Sequence, residues 1–101
     1  MSNQPNRDLS SLINLRDYGV VTFLSTSNAL KAERIMKTAE RVFLVIPTPR
    51  EISTSCGLSL KLIPEDINEA CQVLREGGVE IDGVYHLCKD GKKTDVSRLD
   101  G

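Results

Sequence analysis

Apolar positions recur along this chain in two rhythms. Val20-Val21-Thr22-Phe23-Leu24 is a β-branched and aromatic run, which predicts a strand. Beyond it, Ala29, Ala32, Ile35, Met36 and Ala39 fall at helical spacing. A helix from about residue 28 to 38 or 40 follows, with Ser27 or Asn28 as its N-cap. Val42-Phe43-Leu44-Val45-Ile46 predicts a second strand. Pro47 and Pro49 end it, because proline cannot donate to a ladder. Leu58-Ser59-Leu60-Lys61-Leu62 alternates cleanly and predicts a third strand with one wet face. Pro64-Glu65-Asp66 opens a second helix, whose N-terminus accepts proline and acids. Ile67, Ala70, Cys71 and Leu74 form its apolar stripe and Gly77-Gly78 ends it. Val84-Tyr85-His86-Leu87 carries a last strand.

The order β-α-β-β-α-β predicts an α+β, ferredoxin-like sandwich: a four-stranded antiparallel sheet with two helices on one face. Residues 18–88 make the domain, residues 1–17 a polar N-terminal arm, and residues 89–101 a flexible, charged C-terminal tail. About eleven residues (47–57) connect the second and third strands. Hairpin loops are normally about 2–5 residues, and long loops in compact domains carry function. The first two strands are apolar at nearly every position, whereas helices cover only one sheet face. The arm, a second copy of the chain docking as a homodimer, or a partner domain could cover the other.

Composition narrows the setting. The chain has 101 residues, 40% of them hydrophobic and 27% charged, which fits one globular domain. A formal net charge of −1, with Lys92-Lys93 as the longest basic run, lacks the dense positive charge that phosphate backbones attract. The few aromatics, Tyr18, Phe23, Phe43 and Tyr85, suit a core better than a base-stacking surface. Nucleic acid is therefore not expected as a partner. No stretch resembles a signal's apolar region or a bilayer span, so no membrane association and a cytoplasmic location are expected.

Three cysteines at wide spacing, Cys56, Cys71 and Cys88, are not a disulfide framework. Cys71 lies on the second helix's apolar stripe and reads as core. His86 and Cys88 share one face of the last strand, but two ligands do not make a zinc site. No metal and no cofactor are expected. Cys56 has a different setting. It closes the polar, proline-stiffened loop before a strand. Gly57 leaves space beside the sulfur, Ser53, Thr54 and Ser55 offer hydroxyls and N–H groups, and Arg50 offers positive charge. Such surroundings favour a reactive thiolate. The plainer alternative is a small residue filling a turn.

The run Ile46-Pro47-Thr48-Pro49-Arg50-Glu51-Ile52-Ser53-Thr54-Ser55-Cys56-Gly57-Leu58-Ser59-Leu60 resembles the signature of the selenium/sulfur carrier protein-like family, a group of small bacterial domains. The upstream segment from Thr22 through Glu33 is similar to the family's opening, so the resemblance spans about residues 18–88. It implies a cysteine that accepts activated sulfur or selenium and passes it on. By position that cysteine is Cys56, with Arg50, Ser53, Ser55 and Gly57 as motif neighbours. The implied partners are a desulfurase-like donor and an acceptor protein, and the implied role is a carrier rather than a stand-alone enzyme. A carrier needs an accessible thiolate, a mobile loop and a docking surface. It does not need a general base or metal. The alternative is a non-enzymatic ferredoxin-like interaction or ligand-binding module in which Cys56 is structural.

Overall fold

The structure, a computed structural model, describes residues 12–54 and 56–99. The strands are β1 (Asp17–Phe23), β2 (Leu44–Pro47), β3 (Leu58–Leu62), β4 (Ile81–Asp90) and β5 (Lys93–Arg98), with helices α1 (Thr26–Thr38) and α2 (Ile67–Glu76). They form one antiparallel sheet in the order β2-β3-β1-β4-β5. No helix among the described residues is long and apolar enough to cross a membrane.

The sheet has five strands, not the expected four. The difference lies in the segment read as a flexible tail. Its first residues extend β4, and Asp90 pairs with Lys93 around the two-residue turn Gly91-Lys92. Gly91 has φ +65°, the backbone region reserved for glycine at the first turn position of a type II′ hairpin. The chain then returns as β5, and Val96 packs on the sheet's open face. Residues 100–101 and 1–11 lie outside the described residues. Of the arm, Leu12 is fully buried and Asp17 already belongs to β1.

Helix α1 starts two residues earlier than its periodicity suggests. Ser25, rather than Ser27 or Asn28, is the N-cap, and its hydroxyl accepts from the Asn28 N–H at 3.2 Å. Asn28 is thereby free to accept from the Glu80 N–H at 3.0 Å, which pins the approach to β4. At the other end, Glu40 N–H donates to Lys37 O and Arg41 N–H to Met36 O, the paired bonds of a Schellman cap. Pro64–Asp66 forms a single 3₁₀ turn, and α2 follows from Ile67.

Strand alternation divides the apolar residues between two cores. On the helix side, Val21, Phe23, Leu60, Leu62 and Val84 pack against Ala32, Met36, Ala70 and Leu74. On the other face, Tyr18, Val20, Tyr85 and Leu87 form a second cluster. That face is covered from within the chain. Ile52, from the loop between β2 and β3, is 6% exposed against this cluster, with Leu15 and Ile46 beside it. The continuous apolarity of the first strand therefore reflects burial on both faces.

Candidate functional site

The loop of residues 48–57 begins and ends in a clamp. Thr48 N–H donates to Gly57 O at 2.9 Å, continuing the β2–β3 ladder by one step. The Thr48 hydroxyl donates to Cys56 O at 2.9 Å. It also lies 2.6 Å from Ser59 Oγ, so the Ser59 hydroxyl completes the chain by donating to Thr48. Ser59 is 1% exposed, which makes this pairing its means of satisfying a buried hydroxyl. Inside the loop, Ile52 N–H donates to Pro49 O and turns the chain so that Ile52 reaches the open sheet face. Thr54 then ties the loop to β4. Its hydroxyl donates to Asp82 at 3.2 Å while accepting from the Cys56 N–H at 3.4 Å.

The Cys56 thiol lies under this loop, not on its surface. Cys56 is 4% exposed and packs in the helix-side core. The S–H donates to Leu58 O at 3.3 Å, a bond that only the protonated thiol can make. The reason is legible in the alternation: Cys56, Leu58, Leu60 and Leu62 fall two apart, so the cysteine continues the helix-facing row of β3 past the strand's end. Resting burial differs from the exposed thiolate expected of a carrier.

Of the residues expected around the thiol, Thr54 bonds the Cys56 N–H, whereas Arg50 lies on the other side of the sheet. Arg50 is exposed and lines a cleft on the open sheet face with Tyr18, Lys61 and Lys89. Cys56 points to the opposite face. Ser53 is exposed, and Ser55 lies outside the described residues. Gly57 has no positive φ, and a Cβ built there would meet nothing within 4 Å. Open space therefore adjoins the residue next to the thiol. Thr48 and Asp82 hold the loop, yet neither was assigned a role from sequence. Ser59, a hydroxyl set among the apolar positions of β3, with Thr48 just past the end of the paired strand β2, is the signal that could have found the clamp.

The other cysteines are differently placed. Cys71 is 5% exposed in the helix-side core, as its stripe position predicts. Cys88 is half-buried, and the register sets Asp17 and Asp95 directly across from it on the neighbouring strands. The Asp17 carboxylate is hydrogen-bonded to His86 Nε2. Cys88 thus has carboxylates on both flanks, an arrangement invisible without the register. Among the described residues no group of three or more His, Cys, Asp or Glu side chains is arranged to hold a metal ion.

A family model described as "Putative Se/S carrier protein-like" matches residues 18–86, which contain both helices, strands β2 and β3, most of β1 and β4 and the whole loop. No curated protein and no solved structure matches the chain.

Proposed function

The chain belongs to the Se/S carrier protein-like family, and on that footing we propose that it holds sulfur or selenium on Cys56 and hands it to a partner protein. The observation that carries this reading is the buried thiol at the end of a tethered loop. A carrier must shield its cargo from stray thiols between partners, and a loop closed by a few hydrogen bonds does this while remaining able to open. The first four strands and two helices serve as a ferredoxin-like frame, with β5 as an added edge.

Loading begins when the loop opens and Cys56 loses its proton to solvent. The thiolate attacks the outer sulfur of a donor persulfide. A new S–S bond forms on Cys56, the donor's S–S bond breaks, and the donor leaves as a thiolate. The transferred sulfur keeps its oxidation state, so no oxidant or reductant is consumed. Delivery is the same exchange in reverse: an acceptor thiolate attacks the outer sulfur and Cys56 is released. Selenium follows the same path as a selenylsulfide.

Incubation with a cysteine desulfurase and cysteine, followed by mass mapping, tests the assignment. The expected adduct is one sulfur atom on Cys56, absent in Cys56→Ser. Adducts on Cys71 or Cys88 but never on Cys56 would sink it. The burial of Cys56 and its S–H bond to Leu58 O also favour a second reading, an interaction module with a structural cysteine. In that case Cys56→Ser retains partner binding and no adduct accumulates.

A further inference from the structure

The open face of the sheet carries a cleft of about 430 Å³ whose charge contrasts with the chain as a whole. Its charged lining residues are Arg50, Lys61, Lys89 and Glu51. Three cations against one carboxylate leave a charge of +2, in a protein whose net charge is −1. The cations come from three separate places: Arg50 from the loop, Lys61 from β3 and Lys89 from the end of β4. Two of them converge on one ring, with Lys61 Nζ 4.4 Å and Lys89 Nζ 6.0 Å from the centre of Tyr18. Among the described residues, none of the three cations is in a salt bridge.

That arrangement is electrostatically costly when empty. Lys61 is half-buried, and burial followed by the charge of Lys89 pushes its ammonium below the usual lysine value. Glu51 balances one of the three cations and Lys61 Nζ also donates to Ile13 O at 3.3 Å, so the excess positive charge that remains is what binding an anion relieves. Arg50 adds a planar fork suited to two oxygens of one tetrahedral group, and the lysines act as point charges. The cleft is also large enough for more than a bare anion.

We propose that this cleft, between Arg50, Lys61 and Lys89 over the Tyr18 ring, binds a tetrahedral oxyanion of the phosphate class, either free or as the phosphoryl group of a small metabolite. The site is separate from the carrier chemistry of Cys56, and its occupancy is readable without any sulfur transfer.

The test is a titration of the full chain at low ionic strength, followed by amide chemical shifts, with inorganic phosphate in one arm and adenosine monophosphate in the other. Saturable shifts centred on residues 50, 61 and 89 are expected. Response to phosphate identifies the free anion as sufficient, and response to the nucleotide alone identifies a carried phosphoryl group. Each of Lys61→Gln and Lys89→Gln should weaken binding by about tenfold. Lys31→Gln and Lys37→Gln, on α1, should leave it unchanged. Absence of saturation in both arms, or equal weakening by the α1 variants, overturns the proposal. If Lys61→Gln alters the fold, Lys89→Gln, at an exposed position near the end of β4, decides the matter.

Discussion

Replacing Thr48 with valine tests whether the loop is a gate over Cys56. The substitution keeps the size and β-branching of the side chain and deletes its hydroxyl. Two bonds disappear: the donation to Cys56 O at 2.9 Å and the 2.6 Å contact with Ser59. A net hydrogen bond contributes about 0.5–1.5 kcal/mol, and a buried hydroxyl left unpaired costs about 1–3 kcal/mol. The open loop recovers its bonds with water, so the closed state loses about 2 kcal/mol relative to the open one. At about 1.4 kcal/mol per factor of ten, opening becomes about 30-fold more frequent.

Alkylation of Cys56 reads this directly. When reclosing outpaces the reagent, the labelling rate follows the population of the open form. Cys71, on α2 in the same core, serves as the internal reference because it lies on a helix outside the loop of residues 48–57. Thr48→Val also lowers global stability, so a second variant is needed to separate the two routes. Leu74→Ala removes a fully buried side chain remote in sequence from the loop and costs about 2–5 kcal/mol globally. A gate predicts that Leu74→Ala accelerates Cys71 and leaves Cys56 nearly unchanged. Equal acceleration of both thiols by Leu74→Ala would refute the gate, as would an unchanged Cys56 rate in Thr48→Val.

Other consequences can be checked independently. Burial, and secondarily the Glu51 charge, hold the Tyr18 phenol above its usual value of 10.0. The protonated phenol therefore adds stability that is fully present below pH 10.0 and is lost as pH rises through the higher folded-state value. Glu51→Gln should lower the Tyr18 titration midpoint without returning it to 10.0, read by ultraviolet absorbance in a Tyr85→Phe background. A midpoint unmoved by the substitution contradicts the Glu51 contribution. Glu40 sits at φ +56° in the Schellman cap of α1, where a side chain costs about 1–2 kcal/mol. Part of that gain is offset by glycine's freedom in the unfolded chain, so Glu40→Gly should stabilise by up to about 1 kcal/mol in urea melts. Ile52→Ala should destabilise by about 2 kcal/mol, the low end for such truncations, and an unchanged urea midpoint would mean that the loop does not cover the open face.

Much of the fold was legible because periodicity and punctuation agree. The alternation of β3, the stripe of α2 and the prolines after β2 each place an element near its observed position. What escaped was set by pairing rather than by local pattern. Lys93–Arg98 has one apolar residue, Val96, and becomes a strand only because the edge of β4 offers it a ladder and Gly91 permits the turn. The site divides in the same way. Cys56 and its loop were visible from composition and length. The placement of Arg50 away from the thiol was not, because proximity in sequence says little about which side of a sheet a loop residue meets.

The loop's path also explains why it is long. A short hairpin between β2 and β3 would leave Val20, Tyr85 and Leu87 with only Leu15, Ile46 and Val96 packed beside them on the open face. Residues 48–57 instead insert Ile52 into that cluster and, four positions later, return Cys56 to the helix-side core. One segment therefore closes both faces of the sheet. This has a consequence for opening. In the opening proposed above, Thr54 would leave Asp82 and Thr48 would leave Cys56 O, with Ile52 as the loop's apolar anchor. That anchor and the ladder bond from Thr48 N–H to Gly57 O would bound the moving stretch on its two sides. Ile52 thus packs the open face without touching the helix-side core around Cys56, whereas the two threonine hydroxyls bond the backbone of Cys56 itself. Apolar packing and the polar tethers of the thiol thus rest on different residues of one loop, Ile52 on one side and Thr48 and Thr54 on the other.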